Sequence, residues 1–422
     1  MKEVEMEKDT AMPAAVLRAA LKATTERLSA ELAQATHQAP AWSDFEWRAA
    51  MAVSVMHGVS ALLANRLQWA GPPAWQAFLA EQVEQGRRRE RRVRALLERL
   101  HLAARDAGLP LLAMKGSALL HLGIYCEGER PMSDVDLLAL PVHLAASGRL
   151  ILAAGYAVGI TKRRHIAYEP LQQTAERAFG EHEHNPIKIE LHEAVREPLP
   201  LREVDITAGL LAPGAKPGLN AYASPAALMR HLLLHAAGNL CVRSVRLIQL
   251  HDIAQLAERM NSADWNEALA PAKDGRAAWW AVPVLTLTQR LFPLQFPEPM
   301  SARLTPSIAA ASAACPPWLR RASGRWQLAD VSLSRLDIPL LPGVEWSRGP
   351  ADALGLAWRR LHPPEQAATA MMLQGQHSLA SSEWTRRPHW RKALSFVLGA
   401  QPRAQTLYSM HRALSYRPAN SA

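Results

Sequence analysis

Ser133-Asp134-Val135-Asp136-Leu137-Leu138 is an Asp-x-Asp pair set in an apolar run that Pro141 closes. Side chains alternate between the faces of an extended strand, so Asp134 and Asp136 project to one side and Val135 and Leu137 to the other. Two carboxylates on one face offer the oxygen donors that magnesium prefers. Phosphoryl and nucleotidyl transfer need such a cation to neutralise phosphate charge, often with a second one about 3.5 to 4 Å away.

Working upstream, the run Leu111-Leu112-Ala113-Met114 ends at Lys115-Gly116-Ser117. This reads as a strand meeting a turn, where free backbone amides and a hydroxyl can hold a triphosphate. Residues 118–122 read as one or two helical turns, and a polar loop through Glu127-Gly128-Glu129-Arg130-Pro131 returns the chain to the strand at 135–140. Downstream, residues 143–154 form an expected helix and 156–160 a third strand after Gly155, with an edge strand near Tyr168. Ile187-Lys188-Ile189-Glu190-Leu191-His192 alternates with the period of two of a half-buried strand. Its polar face carries Lys188, Glu190 and His192, which makes Glu190 the candidate third carboxylate and puts His192 beside it.

The flanks read as helical. Between residues 73 and 106, Trp75, Phe78, Leu79, Val83, Val93, Leu96, Leu97 and Leu100 recur at three- and four-residue steps. The arginine-rich run at 87–94 within this stretch reads as a solvated helix face rather than an anion site. Beyond about residue 203 the chain returns to helix, with Ser224-Pro225 as N-cap and first-turn pair and a further helix over 242–260. His231 and His235 share one helix face without a third zinc ligand, so they read as interface or cleft residues. His182 and His184 read as exposed loop residues. From Trp265 onward the chain is rich in Trp, Pro and Arg, and its tryptophans read as packing surface.

The chain has 422 residues, 49% hydrophobic and 20% charged, with a formal net charge of +10. These values predict a folded protein with an anionic partner and exclude a largely disordered chain. Cys126, Cys241 and Cys315 are far apart and form no Cys-x-x-Cys spacing, which predicts reduced thiols. No signal-like segment or long apolar run is seen, so a soluble, cytoplasmic protein without membrane insertion is expected.

Met114-Lys115-Gly116-Ser117, Arg130-Pro131-Met132-Ser133-Asp134-Val135-Asp136-Leu137-Leu138 and Ile189-Glu190-Leu191-His192 together resemble a bacterial, largely uncharacterised nucleotidyltransferase family of the DNA polymerase β-like superfamily. The helices carrying His231-x-x-x-His235 and Arg246-Leu247 to Asp252-Ile253-Ala254 resemble its helical continuation, so the likeness covers about residues 90 to 260. The resemblance implies an α+β fold with a small mixed β-sheet nucleotidyltransferase core. It also implies Mg²⁺ or Mn²⁺ held by Asp134, Asp136 and Glu190, with a nucleoside triphosphate as substrate. By the same analogy Gly116 and Ser117 are phosphate-turn residues, Lys115 and Arg130 phosphate partners, Ser133 part of the nucleotide-binding block, and His192 and His235 cleft residues.

The expected division is a helical N-terminal lobe over 1–106, the nucleotidyltransferase core over 107–202, its helical continuation over 203–262 and a helical Trp/Arg/Pro-rich region over 263–422. The expected activity is transfer of a nucleoside monophosphate to an unidentified small-molecule, peptide or protein acceptor, in natural-product or polysaccharide biosynthesis. Toxin-like modification of RNA and a non-catalytic nucleotide-binding scaffold are the alternatives.

Overall fold

The computed structural model describes residues 13–161, 164–172, 178–212, 214–272, 275–296, 306–339, 341–361 and 401–417. Four helices come first: α1 (Ala14–Ala33), α2 (Asp44–His57), α3 (Ser60–Arg66) and α4 (Pro73–Asp106). Ser43 caps α2 with a full capping box to Glu46, and Gly58 ends it in the left-handed conformation at φ 67°, which glycine adopts without a Cβ penalty. Then follow β1 (Pro110–Ala113), α5 (Gly116–His121), β2 (Asp134–Ala139), α6 (Leu144–Ala153), β3 (Tyr156–Thr161), β4 (His165–Pro170) and β5 (Lys188–His192). A small ribbon of β6 (Arg196–Pro198) and β7 (Glu203–Asp205) precedes β8 (Gly218–Asn220) and helices α7 (Pro225–Cys241), α8 (Leu247–Ala257), α9 (Ser262–Ala268) and α10 (Ala281–Leu291).

The fold is α+β around one mixed six-stranded sheet in the order β3-β4-β5-β2-β1-β8. β2 runs parallel to β5 and antiparallel to β1, while β8 runs parallel to β1. β4 lies inside the sheet between β3 and β5, where an edge position was expected; β3 takes that edge. The three-residue β8 carries no periodic signal of its own, and it forms the opposite edge in a stretch expected to be helical.

Alternation along the strands sorts the two faces. Val135 and Leu137 of β2, with Ile189 and Leu191 of β5, are at most 1% exposed and pack with Val93, Leu100 and Ile151 of α4 and α6. Burying each such side chain contributes about 1.5–3 kcal/mol, and a one-residue slip of β2 would drive Asp134 and Asp136 into this layer. The opposite face meets the larger core, to which Leu112 and Leu138 belong with Leu233 of α7. That core runs from Leu17 to Ala413, so helices from both ends of the chain share it.

The C-terminal elements are α11 (Pro306–Ala314), α12 (Pro317–Ser323), α13 (Leu328–Val331), β9 (Asp337–Ile338), α14 (Pro350–Leu361), β10 (Gln401–Pro402) and α15 (Ala404–Ser415). Trp279, Trp280, Trp326 and Trp346 are buried, as packing residues should be, whereas Trp318 and Trp358 are exposed. Trp384 and Trp390 lie outside the described residues. The three cysteines are free thiols. Among the described residues no single helix is long and apolar enough to cross a membrane.

One residue of the arginine run departs from the expected solvated face. Arg89 is 3% exposed and donates from Nε to Met132 O (3.0 Å) and from its terminal nitrogens to Asn185 O and Pro186 O, while pairing with Glu181 at 3.1 Å. It therefore ties α4 to the chain entering both β2 and β5. The same loop is pinned by Glu90 Oε2, which accepts from Gly128 N (2.7 Å). A Cβ on Gly86 would stand 2.6 Å from Gly128 O, so only glycine lets the loop lie this close to α4.

Candidate active site

β2 and β5 bring the predicted carboxylates together. Their register sets Asp136 opposite Glu190 and Leu138 opposite His192, with all four side chains on one face of the sheet. The β4 register adds His165 opposite His192. His192 Nε2 stands 3.0 Å from Asp136 Oδ1 and 3.7 Å from Glu190 Oε2, and His165 Nε2 lies 3.2 Å from Glu190 Oε1. Asp134 begins the strand, within 3.3 Å of the Ser133 hydroxyl that donates to it.

The turn after β1 reaches the same face. Lys115 has φ 49°, a left-handed conformation that costs a non-glycine residue of order 1–3 kcal/mol and that clusters at functional sites. Its Nζ donates to Asp136 Oδ1 at 2.9 Å. Its backbone N–H donates to the Tyr222 hydroxyl (3.2 Å), which in turn lies 2.7 Å from Nδ1 of His231. Burial, reinforced by Lys115, keeps His231 well below the usual histidine range, and a neutral imidazole can accept at Nδ1.

The charges on this face adjust to one another. Burial opposes ionisation of Asp136, yet Lys115 and the hydrogen bond from His192 outweigh it and hold Asp136 well below the ordinary carboxylate range. Burial and the neighbouring Asp136 push Asp134 up. Glu190 is held low against its own burial by His165 and His192. Lys115 is raised because the carboxylates overcome its desolvation, and His192 is raised for the same reason.

The remaining predicted residues take supporting places. Arg130 forms a bidentate pair with Asp252, Nε to Oδ1 at 2.9 Å and Nη2 to Oδ2 at 2.7 Å, and Tyr125 donates to the same carboxylate (2.7 Å). The Arg130 guanidinium fills the space a Cβ on Gly116 would need. It therefore buttresses the turn from beneath while its charge also acts on Asp134. Ser117 is 4% exposed with an unpartnered hydroxyl, and it lines a cavity of about 630 Å³ bounded also by Tyr222, Leu228, Arg94 and His101. His235, one turn beyond His231, stands 3.8 Å from Glu197 of β6. His182 and His184 lie in the loop before β5.

Three contributors were given no place at the site by the sequence reading. His165 repeats the period of two along β4 as His165-x-Ala167-x-Glu169, a signal that could have placed it on the polar face. Tyr222 stands in the link between β8 and α7 and gives no local cue. Arg246, at the start of α8, donates from Nε to Met56 O (2.9 Å). Burial lowers its basicity, while Asp134 and Glu181 draw it back up, so this guanidinium acts electrostatically on the first carboxylate of β2.

The face thus gathers three ionisable carboxylates, an internal lysine and a strained turn. The carboxylate donor set suits a hard divalent cation, with Asp134 and Asp136 on one strand face and Glu190 on the adjoining strand. No curated protein and no solved structure matches the chain. The model of a family described as uncharacterised nucleotidyltransferase matches residues 43–293, from α2 to just beyond α10, a span that takes in every residue of this face. Because that match covers more than half of its length, the chain belongs to this uncharacterised nucleotidyltransferase family.

Proposed function

We propose that the chain is a metal-dependent enzyme that transfers a nucleoside monophosphate from a nucleoside triphosphate to an acceptor. The observation that carries this reading is the register of β2 with β5. It sets Asp136 against Glu190, on the face that also receives Lys115 from the strained turn. Asp134, Asp136 and Glu190 would hold Mg²⁺ or Mn²⁺. When bound, such an ion neutralises phosphate charge and orients the triphosphate.

The chain's own groups then have distinct parts. The Ser117 hydroxyl, which has no protein partner, and the backbone amide of Gly116 bind phosphate oxygens, and Lys115 and Arg246 supply positive charge. Arg130 holds Gly116 in place. Glu190, kept ionised by two histidines, is better suited to holding a cation than to taking a proton. An acceptor hydroxyl gives up its proton to solvent as its oxygen attacks the α-phosphorus, the bond to the bridging oxygen breaks, and pyrophosphate leaves. The cavity beside Ser117 is of a size that suits a nucleoside or a small acceptor.

A small molecule, peptide or protein acceptor in a biosynthetic setting is favoured, with the cytoplasm as the compartment that supplies the triphosphate. Incubation with each mass-resolved nucleoside triphosphate, Mg²⁺ and host lysate tests the reading. Wild type should form a nucleotide adduct and release pyrophosphate, and Asp134→Asn/Asp136→Asn should form none. Equal adduct from both would overturn it. RNA as the acceptor would instead show affinity that falls steeply with added salt.

A second reading rests on Lys115, whose ammonium already neutralises Asp136. A domain that binds a nucleotide without turning it over would carry its own cation in this way. Lys115→Met separates the two readings, because it should deepen Mg²⁺ dependence in an enzyme and abolish binding in a sensor.

A further inference from the structure

β4 and β5 place two imidazoles around one carboxylate, a pairing that the nucleotidyl-transfer reading uses only to keep Glu190 ionised. His165 and His192 face each other across the antiparallel register, and Glu190 stands one pleat away on the same side of the sheet. Their ligand atoms all lie within 4.8 Å of one another. Each carboxylate oxygen has its own ring: Oε1 is 3.2 Å from His165 Nε2 and Oε2 is 3.7 Å from His192 Nε2. The ring centres are 4.9 Å apart and the planes tilt by 46°. His165 Nε2 is sealed from solvent, yet makes no hydrogen bond of normal geometry.

An ion pair needs only one imidazole. Two nitrogens converging on one carboxylate, one of them buried without a hydrogen bond, match the donor set of a bound cation. Imidazole nitrogen suits first-row transition ions, whereas magnesium prefers oxygen alone. Two histidines and a glutamate are also a recurrent zinc set that leaves a position open for water or substrate. We propose that His165, Glu190 and His192 form a seat for a divalent transition ion of the zinc type, distinct from the Asp134–Asp136 pair.

The seat is linked to the carboxylates of β2 by one atom. His192 Nε2, the nitrogen it needs, is also the partner of Asp136 Oδ1 at 3.0 Å. Capture of an ion takes that nitrogen from Asp136 and leaves Oδ1 to Lys115. Glu190 adjoins both groups, so an ion in this seat would compete with magnesium for it.

The test uses the full chain, stripped with chelator, held in excess Mg²⁺ and titrated calorimetrically with Zn²⁺, with Co²⁺ absorption as a second probe. Wild type should bind one Zn²⁺ per chain and give the visible spectrum of nitrogen-ligated Co²⁺. His165→Asn and His192→Asn should each weaken binding on the order of 10–100-fold or more, since even outer-shell changes cost that much. Asp134→Asn and the loop variant His182→Ala/His184→Ala should retain the site. Circular dichroism checks folding. Should His165→Asn fail to fold, His165→Asp replaces it and should shift preference from Zn²⁺ toward Mn²⁺, which a purely structural histidine would not do.

Equal Zn²⁺ binding by wild type and both histidine variants, or loss of the site in the loop variant alone, would overturn the proposal. The probe is the metal alone, so failure here leaves nucleotidyl transfer standing, and failure of transfer leaves this site standing.

Discussion

Lys115 Nζ stands 2.9 Å from Asp136 Oδ1, so one residue supplies both the strained turn after β1 and a cation for the carboxylates of β2. Lys115→Met should lower stability by about 1–3 kcal/mol in chelator, because it leaves a buried carboxylate without its nearest counter-charge. Added Mg²⁺ should restore part of that loss. Thermal unfolding of wild type and variant, with and without Mg²⁺, measures both effects. A variant as stable as wild type in chelator would show that the ion pair carries no weight.

Ser117 is buried with a hydroxyl that bonds to nothing in the protein. Ser117→Ala should therefore leave stability within about 0.5 kcal/mol of wild type, as no internal bond is lost. Triphosphate affinity should fall by about 3- to 10-fold, the worth of one modest hydrogen bond. Urea melts and nucleotide titrations of the same samples give the two numbers. Unchanged affinity would remove Ser117 from the phosphate site.

The bidentate contact of Arg130 with Asp252 predicts strong coupling between them. Arg130→Met alone strands a buried carboxylate and should cost about 3–5 kcal/mol, whereas Arg130→Met/Asp252→Leu should recover much of it. A double-mutant cycle in urea reads the coupling. Additive losses would mean that the pair does not brace the turn at Gly116.

His57 gives the fold a defined acid sensitivity. Its Nδ1 accepts from Leu247 N (2.8 Å) at the start of α8, and its other nitrogen lies 3.2 Å from the Ser334 hydroxyl. Burial, aided by Arg246, lowers its pKa from 6.5 to about 3. The unfolded chain therefore binds the extra proton between those values. This contribution to stability is complete above pH 6.5 and is lost as pH falls toward 3, at up to about 1.4 kcal/mol per pH unit. Denaturant midpoints against pH should show this slope in wild type and a shallower one in His57→Asn. Parallel curves would assign the acid sensitivity to other groups.

The polar face was legible where regular alternation carries information. Asp134-x-Asp136 and Lys188-x-Glu190-x-His192 declare strands, and the faces assigned to them are those found. Ser224 acts as the N-cap expected of it, accepting from Ala227 N at 3.1 Å. The α8 helix starts later than its pattern implied, because Arg243 turns left-handed at φ 58° before it. Arg89 could not be told from its arginine neighbours, since only the loops from the sheet bury it. Tyr222 and Arg246 act through partners far away in sequence, and the three-residue β8 is defined by its parallel pairing with β1.

Arg89 and Glu90 also bear on how the molecule can be divided. Both lie on α4, and they hold by backbone contacts the loops that deliver β2 and β5. A fragment beginning after that helix would keep every carboxylate of the face and lose what fixes their spacing. It should express as a collapsed, aggregation-prone species rather than as a minimal enzyme. Helix α4 is thus the jig on which the sheet is assembled, and the unit that holds the carboxylate face begins well before Asp134.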